Sequence, residues 1–288
     1  MEEKLKNFSI IIRDAREKYM SVARQMEEKI KRMGGFAEII IEPEKGSDEG
    51  ISLSKECECI FTIGGDGALI RTAKRTVEKK IPLLGVNLGH LGYLCDLDCE
   101  TVLEAIDSLF LGSYEIEERM MLEGHLNSDE DNKHIALNDI VISSENSTQV
   151  IEMIVYVNGT VLFQLKGDGM IISTPTGSTA YNLSAKGPIV DPLTELILLT
   201  PLNPHTLLSR SIVLPDEAEV AIEIRPRRTH TIERARICFD GSGPGSTVFS
   251  PDDRAVIRKA KEKVRMIRLS KMNFLERISK KFREEGGF

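Results

Sequence analysis

The chain has little that would staple it, anchor it or draw it to a polyanion. Its 288 residues include only five cysteines, Cys57, Cys59, Cys95, Cys99 and Cys238. An odd, scattered set with no secretory context excludes a disulfide framework and is expected of free thiols in a reducing cytoplasm. Cys95 and Cys99 lack a second Cys/His pair at matching spacing, so no metal on fixed protein ligands is expected. No apolar run approaches the ~20 residues that cross a bilayer, so a membrane is not an expected partner. The start, Met1-Glu2-Glu3-Lys4, is charged and leads into no signal-peptide core. An excess of basic residues is also missing. The formal net charge of −7 argues against nucleic acid as a partner.

What is present is ordinary for a globular protein: 41% apolar and 29% charged residues. The length suggests roughly two domains, each able to bury a core without staples. Residues 8–12, 36–41, 58–63 and 81–86 read as strands. Helical faces lie between them, at 14–33, 68–80 and 100–111. That β-α-β-α-β order predicts a Rossmann-like parallel sheet covered by helices, with ligands at the carboxyl ends of its strands. After about residue 113 the pattern changes to short strands with turn signals, among them the Asn158-Gly159 hairpin. The expected division is an α/β domain over 1–112 and a β-rich domain over 113–265. From Arg254 onward there are twelve Lys/Arg and four Glu. This basic tail is expected to dock back on the α/β domain over 266–288, packing Phe274, Leu275, Ile278 and Phe282 on the body; a membrane-touching helix is the alternative.

Four segments are too polar or too rich in glycine to be core alone. The first is Gly64-Gly65-Asp66-Gly67, where a strand breaks into a helix start whose free N–H groups suit phosphate. No Gly-Lys-Ser/Thr follows, and the Gly-x-Gly-x-x-Gly spacing is absent. A carboxylate beside phosphate is repelled unless it meets a metal or takes a proton, so Asp66 is a candidate catalytic residue. A plain tight turn is the other reading. Arg71, one turn along, could reach phosphate or be solvated. The second segment is Asn87-Leu88-Gly89-His90-Leu91-Gly92-Tyr93-Leu94, where Tyr93 could stack on a base or lie in the core. The third is Asn138-Asp139 inside an apolar strand, a pair suited to ribose hydroxyls or to a bulge. The fourth runs from Lys166-Gly167-Asp168-Gly169 to Ser173-Thr174-Pro175-Thr176-Gly177-Ser178-Thr179-Ala180-Tyr181-Asn182-Leu183-Ser184. There Thr179 or Ser178 is expected to cap a helix, again a phosphate or ribose environment. Ser178 lacks the Gly-x-Ser-x-Gly elbow of a nucleophile.

In this order, over nearly the whole chain, the four segments resemble the NAD kinase family. Gly64–Gly67 looks like its GGDG motif, and Gly85 to Leu94 like its GxNxGxLGFL stretch. Asn138-Asp139 stands where Asn-Glu is usual, and Gly167 to Tyr181 is similar to its most specific signature. Pro204-His205-Thr206-Leu207 and Asp240-Gly241 match later landmarks. The resemblance implies phosphoryl transfer from ATP, or polyphosphate, to the adenosine ribose 2′-hydroxyl of NAD, giving NADP. Asp66 would accept the proton. Gly64, Gly65 and Gly67 would meet the phosphate donor. Asp66, Gly67, Arg71, Tyr93, Asn138, Asp139, Lys166, Asp168 and Thr179 to Ser184 (Thr179, Ala180, Tyr181, Asn182, Leu183, Ser184) would line the NAD site. Mg²⁺ or another divalent ion would arrive with ATP, and a cytoplasmic homodimer or homotetramer is implied. Three departures stand out: Ala68 where Thr is common, Asp139 for Glu, and Ser242 for Gln.

Overall fold

A computed structural model describes residues 2–43, 50–89, 92–146, 149–205, 210–225, 234–241, 245–269 and 272–286, with 284–286 as backbone only. His90, Leu91, Thr206, Leu207 and Ser242, each noted from the sequence, lie outside the described residues. The chain forms two compact units. One holds residues 1–119 and 263–288, and the other 120–262.

The first unit opens with β1 (Asn7–Ile12), α1 (Glu17–Arg32) and β2 (Phe36–Ile41), followed by β3 (Cys59–Gly64), α2 (Asp66–Thr76), β4 (Leu83–Asn87), β5 (Leu97–Asp98) and α3 (Val102–Leu111). All these strands pair in parallel. β3 and β4 are buried throughout, as expected of strands covered on both faces. Tyr19, Ala23, Met26 and Ile30 are the buried face of α1 and pack with Phe8, Ile10 and Phe61 in one core. β1 pairs with β2 on one side and β3 on the other. The strand order therefore reverses beside β3, and the turn after β3 lies at the switch point where open α/β sheets bind ligands. α2 begins at Asp66, two residues before its apolar pattern starts, and ends at Thr76 in a tighter 3-10 turn over Val77–Lys79.

The second unit is a two-layer β sandwich. β6 (Glu115–Leu126) leads in from the first unit, then β7 (His134–Ala136), β8 (Asp139–Ser144), β9 (Ile151–Val157), β10 (Thr160–Gly167), β11 (Gly169–Ser173), the one-turn α4 (Tyr181–Ser184), β12 (Leu196–Leu202), β13 (Ile212–Pro215), β14 (Val220–Ile224), β15 (Ala235–Phe239) and β16 (Thr247–Phe249). β17 (Arg254–Arg268) gives its first residues to the sandwich and its last to the first unit, and α5 (Phe274–Gly286) follows. One layer has the order β13-β12-β11-β8-β15-β16; β10, β9, β14 and the start of β17 form the other. Ile140, Met170 and Leu199 of the first layer share a core with Met153, Val155 and Ile222 of the second. The chain changes layers at Asp168, between the two strands β10 and β11. A side chain at Gly167 would meet the Leu202 carbonyl at 2.7 Å, and one at Gly169 would overlap that of Ile142. Glycine on both sides is what lets the corner form.

The basic tail docks, by two of the four apolar residues expected, Phe274 and Ile278. In α5 the covered stripe is Phe274, Arg277, Ile278 and Lys281, and Leu275 is 74% exposed and Phe282 46%. Arg277 fixes the helix rotation by its buried pairing with Asp96. At 100° per residue this turns Leu275 and Phe282 outward.

Candidate active site

In the first unit the geometry follows from the sheet. Gly64 and Asn87 are partners at the carboxyl ends of β3 and β4, so the loops that follow them are neighbours. The Asp66 carboxylate uses this proximity. Its Oδ2 accepts the Tyr93 N–H at 2.7 Å, and its Oδ1 accepts those of Leu94 and Cys95, both at 3.2 Å. An ionised carboxylate has about four acceptor directions, so three backbone donors leave one for a ligand. The start of α2 adds the favourable end of the helix dipole. Gly92 is glycine for this reason: a Cβ there would lie 2.7 Å from Asp66 Cγ and overlap Oδ1. Gly65 and Gly67 are exposed, with their backbone open to an incoming group, and Gly64 is buried. Cys95 beside Asp66 is inert. Burial, with the Asp66 charge next, pushes its thiol ionisation far above the usual range.

Arg71 is not a solvated side chain. Its Nε and Nη2 donate to the two oxygens of buried Glu42 at 2.6 and 2.8 Å. Arg75 donates to the same carboxylate at 3.4 Å. Glu42 follows β2, in a polar loop where no local pattern marks this role. Its bidentate grip orients Arg71, leaving Nη1 within 3.6 Å of where a Gly67 Cβ would stand. Tyr93 is half-buried, with the Lys281 ammonium 5.6 Å from its ring centre.

In the second unit the ladder breaks between β7 and β8, at Leu137 and Asn138. Both sides of that break are held. Asp240 accepts the N–H groups of Leu137, Asn138 and Asp139 at 2.9, 2.7 and 3.2 Å. From the opposite side Thr174 Oγ1 donates to the Leu137 carbonyl at 2.6 Å, and the Thr174 N–H donates to that of Asn138 at 2.9 Å. A side chain at Gly177 would overlap the Asn138 carbonyl. The Ser/Thr/Pro/Gly run thus supports the Asn138 backbone. Asn138 Oδ1 and Thr176 Oγ1 are buried with no hydrogen-bond partner among the described residues, the condition of groups that await a ligand. Asp139 is 4% exposed, far more enclosed than Asn138.

The expected helix cap is absent. Thr176–Thr179 is a 3-10 turn and α4 has four residues, neither with a side-chain cap. Ser178 instead bridges to Val190, accepting its N–H at 3.0 Å, and the Thr179 hydroxyl donates to the Thr176 carbonyl at 3.4 Å. A helix this short gathers no long row of free N–H groups. Asn182 is fully buried. Its amide donates to the Ser178 and Pro188 carbonyls and its Oδ1 accepts from Thr200. The Asn182 side chain therefore braces the turn and is not open to a ligand. Tyr181 and Ser184 are exposed, and Thr179, Ala180 and Leu183 half-exposed. Lys166 is exposed on the edge strand β10, 3.4 Å from Glu152, and Asp168 accepts from Asn203 at 2.7 Å.

The model of the ATP-NAD kinase N-terminal domain matches residues 9–114, and that of the C-terminal domain residues 137–269. The chain belongs to the NAD kinase family. It is 41% identical over 281 residues to the NAD kinase of Agathobacter rectalis, covering 96% of this chain and 98% of that protein. To the NAD kinase of Lachnoclostridium phytofermentans it is 38% identical, over 96% of this chain and 99% of the other. Among solved structures, the fold is shared with yeast NADH kinase complexed with NADH: TM-score 0.82 at 21% identity, covering 99% of this chain and 88% of that one. It is shared also with an NAD kinase from Archaeoglobus fulgidus in complex with ATP: TM-score 0.75 at 21% identity, 98% and 99% covered. As a member of this family the chain is an enzyme of the kinase class, and the parallel-sheet domain with its β-rich companion is the family's fold.

Proposed function

We propose that this NAD kinase transfers the γ-phosphoryl group of ATP to the 2′-hydroxyl of the adenosine ribose of NAD, with Asp66 as proton acceptor. The observation that carries the role of Asp66 is its carboxylate, fixed by three backbone N–H groups at the sheet's switch point with one acceptor direction left. A ribose hydroxyl is a poor nucleophile. A placed carboxylate removes its proton as the bond to phosphorus forms, worth about 10²–10⁴ in rate. The γ-phosphoryl leaves ADP as that bond forms, and the hydroxyl proton passes to Asp66. The exposed backbone of Gly65 and Gly67 suits the donor's phosphates, and Gly64 supplies the buried turn behind them. Three of the four acceptor directions of Asp66 are already filled, which suits a divalent ion carried in on ATP and not one caged by protein. Mg²⁺ there would supply charge neutralisation.

In the same reading Gly67, Arg71 and Tyr93 contact NAD, and so do Asn138, Asp139, Lys166, Asp168 and the Thr179–Ser184 turn. Support comes from Asn138 Oδ1 and Thr176 Oγ1, which have no partner among the described residues. Within the turn, Asn182 acts by bracing its neighbours. The direct test is incubation of purified protein with Mg-ATP and NAD, with NADP read by an NADP-specific dehydrogenase. NADP formation is expected; none above background contradicts the reading, and phosphorylation of a lipid in its place would move the chain to another branch of GGDG kinases. Asp240→Ala should raise the KM for NAD about tenfold, because it frees the Asn138 backbone. It should also cost about 1–3 kcal/mol of stability through unpaired N–H groups. Urea unfolding and initial rates read the two effects, and an unchanged KM contradicts this placement of Asn138.

Assembly and location belong to the same proposal. No helix among the described residues is long and apolar enough to cross a membrane. Five free thiols suit a reducing cytoplasm. The edge strands β10 and β13 of the sandwich expose Val161 (50%), Leu162 (40%) and Val213 (55%). Apolar side chains on open strand edges support a homodimer or homotetramer through the β-rich unit. Light scattering on the purified protein should give a mass of two or four chains; a monomer at micromolar concentration contradicts it.

A further inference from the structure

We propose that Arg277, on the C-terminal helix, is a positioning residue for Asp66. This rests on the reading of Asp66 as the proton acceptor. The helix lies beyond both stretches that match the family models, residues 9–114 and 137–269. It has its own start signal: Asn273 Oδ1 accepts the Glu276 N–H at 2.9 Å, and Glu276 accepts the Asn273 N–H at 2.8 Å, a reciprocal capping box. The box fixes where α5 starts, and Arg277, in its first turn, is buried to 5% exposure.

A buried guanidinium is costly unless its fork is engaged. Here it is engaged by the segment that holds the base. Arg277 Nη1 donates to the Cys95 carbonyl at 3.3 Å, and Nη2 donates to Asp96 Oδ1. Asp96 Oδ2 accepts the Leu269 N–H at 3.0 Å, tying the end of β17 to the same carboxylate. The Cys95 residue whose carbonyl Arg277 grips gives its N–H to Asp66. One turn further along the helix, Lys281 stands over the ring of Tyr93, whose N–H is the shortest bond to Asp66. The helix therefore touches both ends of the 93–95 stretch whose three N–H groups hold the carboxylate. It does so by Arg277 and Lys281, which share the covered stripe with Phe274 and Ile278, while Leu275 is turned to solvent.

The test uses the full chain with two variants chosen to fold. Arg277→Lys keeps a cation opposite Asp96 but loses the planar two-point grip. The double variant Asp96→Leu/Arg277→Met replaces the ion pair with apolar groups of similar volume, a change that buried pairs tolerate. Thermal melts establish folding. Initial rates below the melting range then separate kcat from KM. We expect kcat about tenfold lower for Arg277→Lys and about 10²-fold lower for the double variant, because small displacements of a catalytic group cost this much. The KM for NAD should stay within about twofold. Leu275→Gln, on the exposed face, should leave kcat unchanged. A folded double variant with wild-type kcat overturns the proposal. So does a fall in kcat that only tracks the melting temperature across the variants, which is a merely structural role. Asp66→Asn, run beside them, separates the two layers. If it turns over normally, the base assignment itself fails. If it is crippled while the Arg277 variants are not, only the positioning role fails.

Discussion

Asp66→Asn should bind NAD within about threefold of wild type and turn it over about 10²–10⁴ times more slowly. The substitution preserves shape and removes the charge. An asparagine oxygen can still accept the Leu94 and Cys95 N–H groups that Oδ1 now holds. Its NH₂ would then face the Tyr93 N–H, a donor against a donor, so the bond at 2.7 Å is lost. That loosens one end of the loop but leaves the rest of the dinucleotide surface in place. The chemical step loses its proton acceptor altogether. Calorimetric titration of NAD together with steady-state rates gives both numbers, and a wild-type kcat would remove Asp66 from the mechanism.

Gly92→Ala should be nearly as damaging although it leaves every functional group intact. The new Cβ would stand 2.7 Å from Asp66 Cγ, well inside the closest approach of real carbon atoms. Neither side can yield cheaply. Asp66 begins α2, and the strand end that bears the Gly92 loop is itself paired to β3. The carboxylate must swing away and break bonds to the three amides, so we expect kcat to fall about 10²-fold by misplacement alone. NAD affinity should change little. The same rate measurements check it, and a variant within twofold of wild-type kcat would show that the carboxylate does not need its present position. Comparing the two variants separates having a carboxylate from having it held.

Why the sheet could be read in advance and the supports of the site could not follows from distance along the chain. β2, β9 and β15 fall where apolar runs and turn residues put them, because strand periodicity and Gly/Asn turns act within a few residues. The Gly64–Gly67 turn was legible for the same reason. The supports are not local. Asp240 reaches Leu137 across 103 residues, Arg277 reaches Asp96 across 181, and Arg71 reaches Glu42 across 29. No periodicity encodes such partners, and each acts on a backbone or charge that the sequence does not show. The rotation of the tail has the same origin. Hydrophobicity favours Phe274, Leu275, Ile278 and Phe282 as the docked face, whereas a buried ion pair sets the rotation and leaves only Phe274 and Ile278 of the four covered. The absent helix cap was a local error: Ser178 has a stronger partner in Val190, twelve residues on.

The proposed reaction makes one bond, between a phosphorus atom and the 2′-oxygen of the adenosine ribose. ³¹P NMR of the product made by the wild-type protein from Mg-ATP and NAD observes that bond directly. The account predicts one new phosphomonoester resonance, coupled to the adenosine H2′ and growing with ADP in equal amounts. No new monoester, or one coupled to any other position, would contradict it.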